Sequence, residues 1–153
     1  MKFTVPWKRA GRRQLMAAEA DVLGELRRLR TRIPQLRGAL TASVDGLVLA
    51  QDTTDIEAEG VCALTAAALG VALRLSEATH QGGFRELLIR GEQGYVATYT
   101  AGSTAVLTLL AEPRVNVGRL HLEGRRSSVL IGELVDAASG RSAGTGDTED
   151  AAP

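Results

Sequence analysis

Residues 36–50, LRGALTASVDGLVLA, constrain the fold more than any other stretch of the chain. Two apolar runs meet at Asp45-Gly46. On the way in, Leu36, Gly38, Leu40, Ala42 and Val44 alternate with Arg37, Ala39, Thr41 and Ser43, the two-residue period of a strand. Asp-Gly between such runs signals a β-hairpin, because a type I′ turn needs φ > 0 at both central positions. The second arm, Leu47 to Ala50, is too short for a helix and closes back on the first. Everything else has to pack against this hairpin.

The helices are legible from their spacing. Leu15, Val22, Leu26, Leu29 and Ile33 form one apolar stripe over a helix at 13–32, which Pro34 ends. Its acids come early and its arginines late, as the helix dipole prefers. A second, long helix covers 56–78, with Thr54 and Glu57 in the spacing of a capping box. It is apolar or small over most of its circumference, so it is covered nearly all round. Winding it at about 100° per residue puts Val61, Cys62, Thr65, Leu69, Ala72 and Leu73 on a bulky side suited to a sheet. Glu59, Ala63, Ala67, Gly70 and Arg74 form the opposite, small side, which lets a second helix approach closely. An antiparallel copy would match Glu59 to Arg74, so this side, flanked by Leu64 and Val71, reads as a homodimer seam.

Gln81-Gly82-Gly83 breaks that helix. Three strands follow at 84–90, 94–101 and 104–111, joined by short Gly-containing turns. The last of them, with Ala105 to Leu110 continuously apolar, belongs in the middle of the sheet. Asn116 caps a final helix that closes near 136.

The formal charge balances but is unevenly spread. Residues 1–38 carry ten cations against three acids, a net of +7; residues 39–136 come to −5 and the rest to −2. Residues 1–12 read as a flexible basic leader, a solvated tail ahead of the alternative of a weak contact with an anionic membrane, 13–136 as one domain, and 137–153 as a disordered acidic tail. The acidic remainder of the domain argues against a nucleic-acid partner. The single Cys62 permits no internal disulfide, and no uninterrupted apolar run reaches the roughly 18 residues of a membrane span. A cytoplasmic protein, peripheral at the inner membrane face if the leader engages lipid, is the expectation.

No chemistry assembles. His80 stands at a helix end beside glycines, and His121 has no partner at metal-ligand spacing. Cys62 falls on the buried side of its helix, without a base to activate it. The glycine turns lack the Lys-Ser/Thr ending of a phosphate loop. No catalytic residue, metal or cofactor is expected.

The order helix, hairpin, helix, three-stranded meander, helix resembles the Roadblock (dynein light chain-related) family in its bacterial form. The residues that carry the resemblance are Ile33-Pro34, Arg37 to Leu40, Ser43 to Ala50, the Ala/Leu/Gly-rich helix 56–78, Gly94-Tyr95, Gly102-Ser103 and Val117 to Leu120. It spans about 13–136. The resemblance implies an α+β fold: a five-stranded antiparallel sheet with the long helix on one face and the other two helices on the opposite one. It implies homodimers through the long helices and a joining strand edge at Phe84, Leu87 and Ile89. It also implies a non-catalytic partner, or activator, of a small Ras-like GTPase. A membrane-recruited structural adaptor with no nucleotide-dependent partner is the alternative. An enzyme on an open profilin-like sheet ranks behind both.

Overall fold

The computed structural model describes the backbone of residues 6–144 and the side chains of residues 18–141. The elements run α1 (Pro6–Arg32), β1 (Leu36–Ser43), β2 (Val48–Asp52), α2 (Ala58–Ala78), β3 (Glu86–Gly91), β4 (Gly94–Ala101), β5 (Ala105–Ala111) and α3 (Val117–Gly144). The five strands form one antiparallel sheet in the order β2-β1-β5-β4-β3. β5 is central and buried along its whole length, as its continuous apolar run requires. β2 and β3 are the edges.

Two apolar layers flank the sheet. On one side α1 lies over β1 and β2, α3 lies over β4 and β5, and the two helices pack on each other. Val22, Leu26 and Leu29 of α1, with Ile33 just after it, meet Leu120 and Ile131 of α3 above Ala39, Ala97, Leu107 and Leu109. On the other side α2 sets Ala58 and Cys62 on Leu40, Ala42 and Leu110. α1 and α3 are antiparallel, and a polar cluster locks them. Arg32 donates from Nη2 to Glu25 Oε1 at 2.9 Å and from Nε to Glu123 Oε2 at 2.9 Å. Ser127 Oγ donates to Glu25 Oε1 at 2.8 Å, and Arg28 Nε to Glu25 Oε2 at 2.9 Å.

Close approach of α3 to the sheet depends on a missing side chain. A Cβ at Gly124 would lie 2.5 Å from the ring of Tyr99, itself fully buried, so only glycine admits this crossing.

Several local expectations are corrected. The Asp45-Gly46 turn is present, but only Gly46 has positive φ, at 89°. Gly46 N–H donates to the Ser43 carbonyl at 2.9 Å and Ser43 N–H to the Leu47 carbonyl at 2.8 Å. That is a three-residue loop, a turn followed by a left-handed glycine, rather than the two-residue type I′ form. The alternation along β1 also breaks: pairing with β5 shifts between Leu36 and Gly38, which turns Leu36 to the Ala39 side. α2 starts at Ala58, and its N-cap is Glu57 without a side-chain cap bond, so the Thr54 capping box does not form. Ile56 is drawn onto the Leu40 layer instead, keeping the chain before Ala58 out of the helix. β3 begins at Glu86, leaving Phe84 in the connection. α2, expected to be the long helix, is the shortest of the three at 21 residues. α1 begins at Pro6 and α3 continues to Gly144, so the expected borders at 12 and 136 fall inside helices. The remaining leader and tail positions, 1–5 and 145–153, lie outside the described residues.

Candidate interaction surface

α2 presents two different faces. Ala58, Cys62, Thr65 and Leu69 recur at three- and four-residue spacing and are buried against the sheet. The outer face is open: Leu64 is 73%, Val71 67% and Leu75 62% exposed. Glu59, Ala63, Ala67, Gly70 and Arg74 are exposed as well, and a Cβ added at Gly70 would meet nothing within 4 Å. By length and composition α2 would also pass for a membrane span. Its buried positions on the Leu40 layer make it a core helix of this fold, with one apolar face left over.

The two flanks of that open face differ. Toward the β1–β2 hairpin, the position of a Cβ on Gly46 is 3.1 Å from Ala63 Cα, so the turn closes over this side of the helix. Toward β3, Ala72 and Leu75 share a groove with Phe84 and Leu87. A second groove beyond the start of α2 is floored by Ile56, Ile89, Val96 and Leu110, with Arg37 at its margin. Ile89 is 48% exposed, whereas Phe84 and Leu87 are half-buried. No strand pairs with the outer side of β3 among the described residues. The structure therefore brings Leu64, Val71, Phe84, Leu87 and Ile89 to one side of the molecule, a leucine-and-valine flank beside an open strand edge. Glu59, Ala63 and Gly70 sit farther round the helix, toward the hairpin. Contiguous exposed apolar surface of this kind marks an interaction site.

The opposite face of β3 holds a polar cluster that sequence reasoning missed. Glu86, the first residue of β3, accepts two hydrogen bonds from the Arg125 guanidinium of α3, through Nε at 2.8 Å and through Nη2. The Arg125 guanidinium bonds lower the Glu86 pKa below the ordinary carboxylate value. Tyr99 Oη and His121 Nδ1 are 2.8 Å apart, their rings edge to face, and His121 Nδ1 is 3.8 Å from Glu86 Oε1. Burial pushes the Tyr99 phenol far above its usual pKa, with the Glu86 charge acting the same way. Four residues from three elements meet here, and none is close to another in sequence except His121 and Arg125. Spacing alone gives no signal of such a group; the one clue is the tyrosine at an inward position of β4. The cluster joins edge strand to helix and needs no ligand to complete its bonds.

Cys62 is buried, and burial raises its thiol pKa, the setting of a packed residue. His80 is exposed at the end of α2. Among the described residues no group of three metal-ligating side chains converges.

The Roadblock/LC7 domain model matches residues 22–111, more than half of the chain. The protein belongs to the Roadblock/LC7 family. The match runs from the second half of α1 through β5, the part that forms the sheet and carries α2. MJ0714, an uncharacterized protein of Methanocaldococcus jannaschii, is 31% identical over 97 residues, which cover 63% of this chain and 81% of that protein. Among solved structures, an MglB in a tetrameric arrangement superposes with a TM-score of 0.74 at 20% identity, covering 80% of this chain and 93% of that one. The gliding protein MglB of Thermus thermophilus gives 0.73 at 21% identity, covering 79% and 93%. The three helices and the five-stranded antiparallel sheet are arranged as the family resemblance implies.

Proposed function

We propose that this Roadblock/LC7 protein is a non-catalytic homodimeric regulator or scaffold for a small Ras-like GTPase. One observation carries the dimer: the Leu64–Val71–Leu75 flank of α2 lies open beside the unpaired edge of β3 and the exposed Ile89. A two-fold axis there sets α2 against its copy and β3 against its copy in a single step, covering both liabilities at once. Ala67 and Gly70 keep the helix backbone accessible to a close partner, and Glu59 and Arg74 give the antiparallel pairing a charge match. The self-association of an MglB in a tetrameric arrangement supports the same reading.

The GTPase partner follows from the family resemblance, and the described residues offer no competing chemistry. In such a complex the GTPase holds its own nucleotide and the dimer acts by positioning, which asks of this chain a rigid surface rather than a reactive group. The test is an affinity capture from the source lysate in a GTP analogue and in GDP, with bound proteins identified by mass spectrometry. A small GTPase enriched in one nucleotide state is the expected result. A GTPase bound equally in both states, or none at all, overturns the regulator reading.

A further inference from the structure

The layer formed by α1 and α3, on the side of the sheet away from α2, has an outer face that the dimer surface does not use. Leu120, Gly124, Ser128 and Ile131 of α3 are buried. On the opposite side of that helix Leu122, Arg126 and Val129 follow one another at the helical repeat and are exposed, Leu122 by 50% and Val129 by 62%. Arg119 and Arg125 stand one turn before and one turn after Leu122, so arginine surrounds it. α1 adds Arg27, which is exposed, and Arg28 and Arg32, whose side chains are 60% and 36% exposed. Arg119 Nη2 donates to the Arg32 carbonyl at 2.7 Å, which brings the arginines of the two helices together at the end of α1.

The acids within this face are already engaged. Glu25 and Glu123 are held by Arg28 and Arg32, and Glu86 by Arg125. No carboxylate among the described residues pairs with Arg27, Arg119 or Arg126, so their charges are unmatched. The exposed acids of the layer, Glu19, Asp21 and Glu133, lie at its other end. Contacts of Glu25 with Ser127 and of Arg32 with Glu123 make the helices antiparallel, which sets Glu19 and Asp21 about level with Glu133. Glu133, one turn past Val129, marks the limit of the face. At the near end of the sheet Glu92 and Glu112 each have an arginine two residues away, Arg90 and Arg114.

We infer that this face of α1 and α3 docks on an anionic lipid bilayer, with the arginines meeting headgroup phosphates and Leu122 and Val129 entering the headgroup boundary. Charge complementarity selects the occupant. Unmatched guanidinium groups set around exposed apolar side chains match a negative leaflet, which accepts both, whereas a soluble polyanion leaves Leu122 and Val129 in water. The face draws on neither the start of α1 nor the end of α3. On the dimer reading above, the two-fold that pairs β3 with β3 keeps the α1–α3 layers of both copies on one side of the doubled sheet, where a flat target meets both. The face itself is complete in one protomer.

Co-sedimentation with phosphatidylcholine vesicles, with and without phosphatidylglycerol, tests the assignment. The full chain is expected to sediment only with the anionic vesicles, and less so as salt screens the contact. Replacing Arg27 and Arg126 together by Gln removes two unmatched charges and should weaken binding ~30-fold. Leu122→Asp removes an apolar contact and adds a charge that the leaflet repels, and should weaken it ~10-fold or more. Circular dichroism and light scattering establish that each variant keeps its fold and mass, and if one fails to fold the other decides. A folded variant of either kind that sediments like the parent overturns the proposal. So do unaltered protein that ignores anionic vesicles, binding that salt leaves unchanged, and retention on poly-glutamate or duplex DNA in place of vesicles.

Discussion

His80 ends α2 in a conformation that its side chain disfavours. It is the one non-glycine residue with positive φ, 59°, among those described. Its N–H donates to the Glu77 carbonyl at 3.1 Å, and the Gln81 N–H reaches the Ser76 carbonyl at 2.9 Å. This pair of bonds is the Schellman arrangement, in which the left-handed position is usually glycine. An L-residue there carries roughly 1 kcal/mol of strain from Cβ against the following carbonyl. His80→Gly removes it at the cost of a more flexible unfolded chain, so a small net gain of up to about 0.5 kcal/mol is expected. Urea unfolding checks this, and a lower midpoint for the variant would contradict the strain argument. Glycine stands two residues later, at Gly82, which also has positive φ. The sequence therefore signals the break in the right neighbourhood but does not say which residue takes the strain.

At the level of elements, the α1–α3 contact is held by charge in a place where periodicity shows only leucine and valine. Glu25 is 4% exposed. Burial by itself would raise its pKa, but the hydrogen bonds from Arg32, Ser127 and Arg28 outweigh that and hold it below the ordinary carboxylate value. The folded state thus binds its proton less readily than the unfolded chain. The resulting stability is fully present above the unfolded carboxylate pKa and is lost as pH falls through the folded one. Acidification from neutral pH should therefore lower the urea midpoint of the wild type more than that of Glu25→Gln, which has no carboxyl proton to take up. Equal losses in the two proteins would remove Glu25 from the account. In the sequence, early acids and late arginines on α1 describe a dipole-matched, solvated helix. Tertiary packing overrides that: Glu25 and Arg32 are seven residues apart and face α3, a relation visible only once Ser127 and Glu123 are in place. What the sequence does specify well is what local rules control. The Asp-Gly turn, the apolar β5 and the Gly-bounded meander all follow from turn chemistry and strand period. The limit of α2 was missed because packing sets it, Ile56 delaying its start, and α1 and α3 run past the ends that composition suggests.

For the molecule as a whole, the open α2 flank and the β3 edge make one claim about assembly, and stability can test it without any partner protein. A chain whose folded form pairs through 64–75 and β3 gains stability from its own concentration, because only the native state dimerises. The unaltered protein should then show a melting temperature that rises with concentration, with a dimer mass by light scattering. Ala67 is exposed in the middle of the outer helix face, so Ala67→Arg alters little within one protomer. Across a two-fold seam it sets two long cations against each other where backbones approach closely. The variant should be a monomer whose melting temperature no longer depends on concentration, while its far-ultraviolet circular dichroism at low temperature stays that of the parent. A variant that keeps both the dimer mass and the concentration dependence would show that the seam lies elsewhere. The exposure of Leu64, Val71 and Leu75 would then need a different partner, and a GTPase docking on α2 itself would be the first to examine.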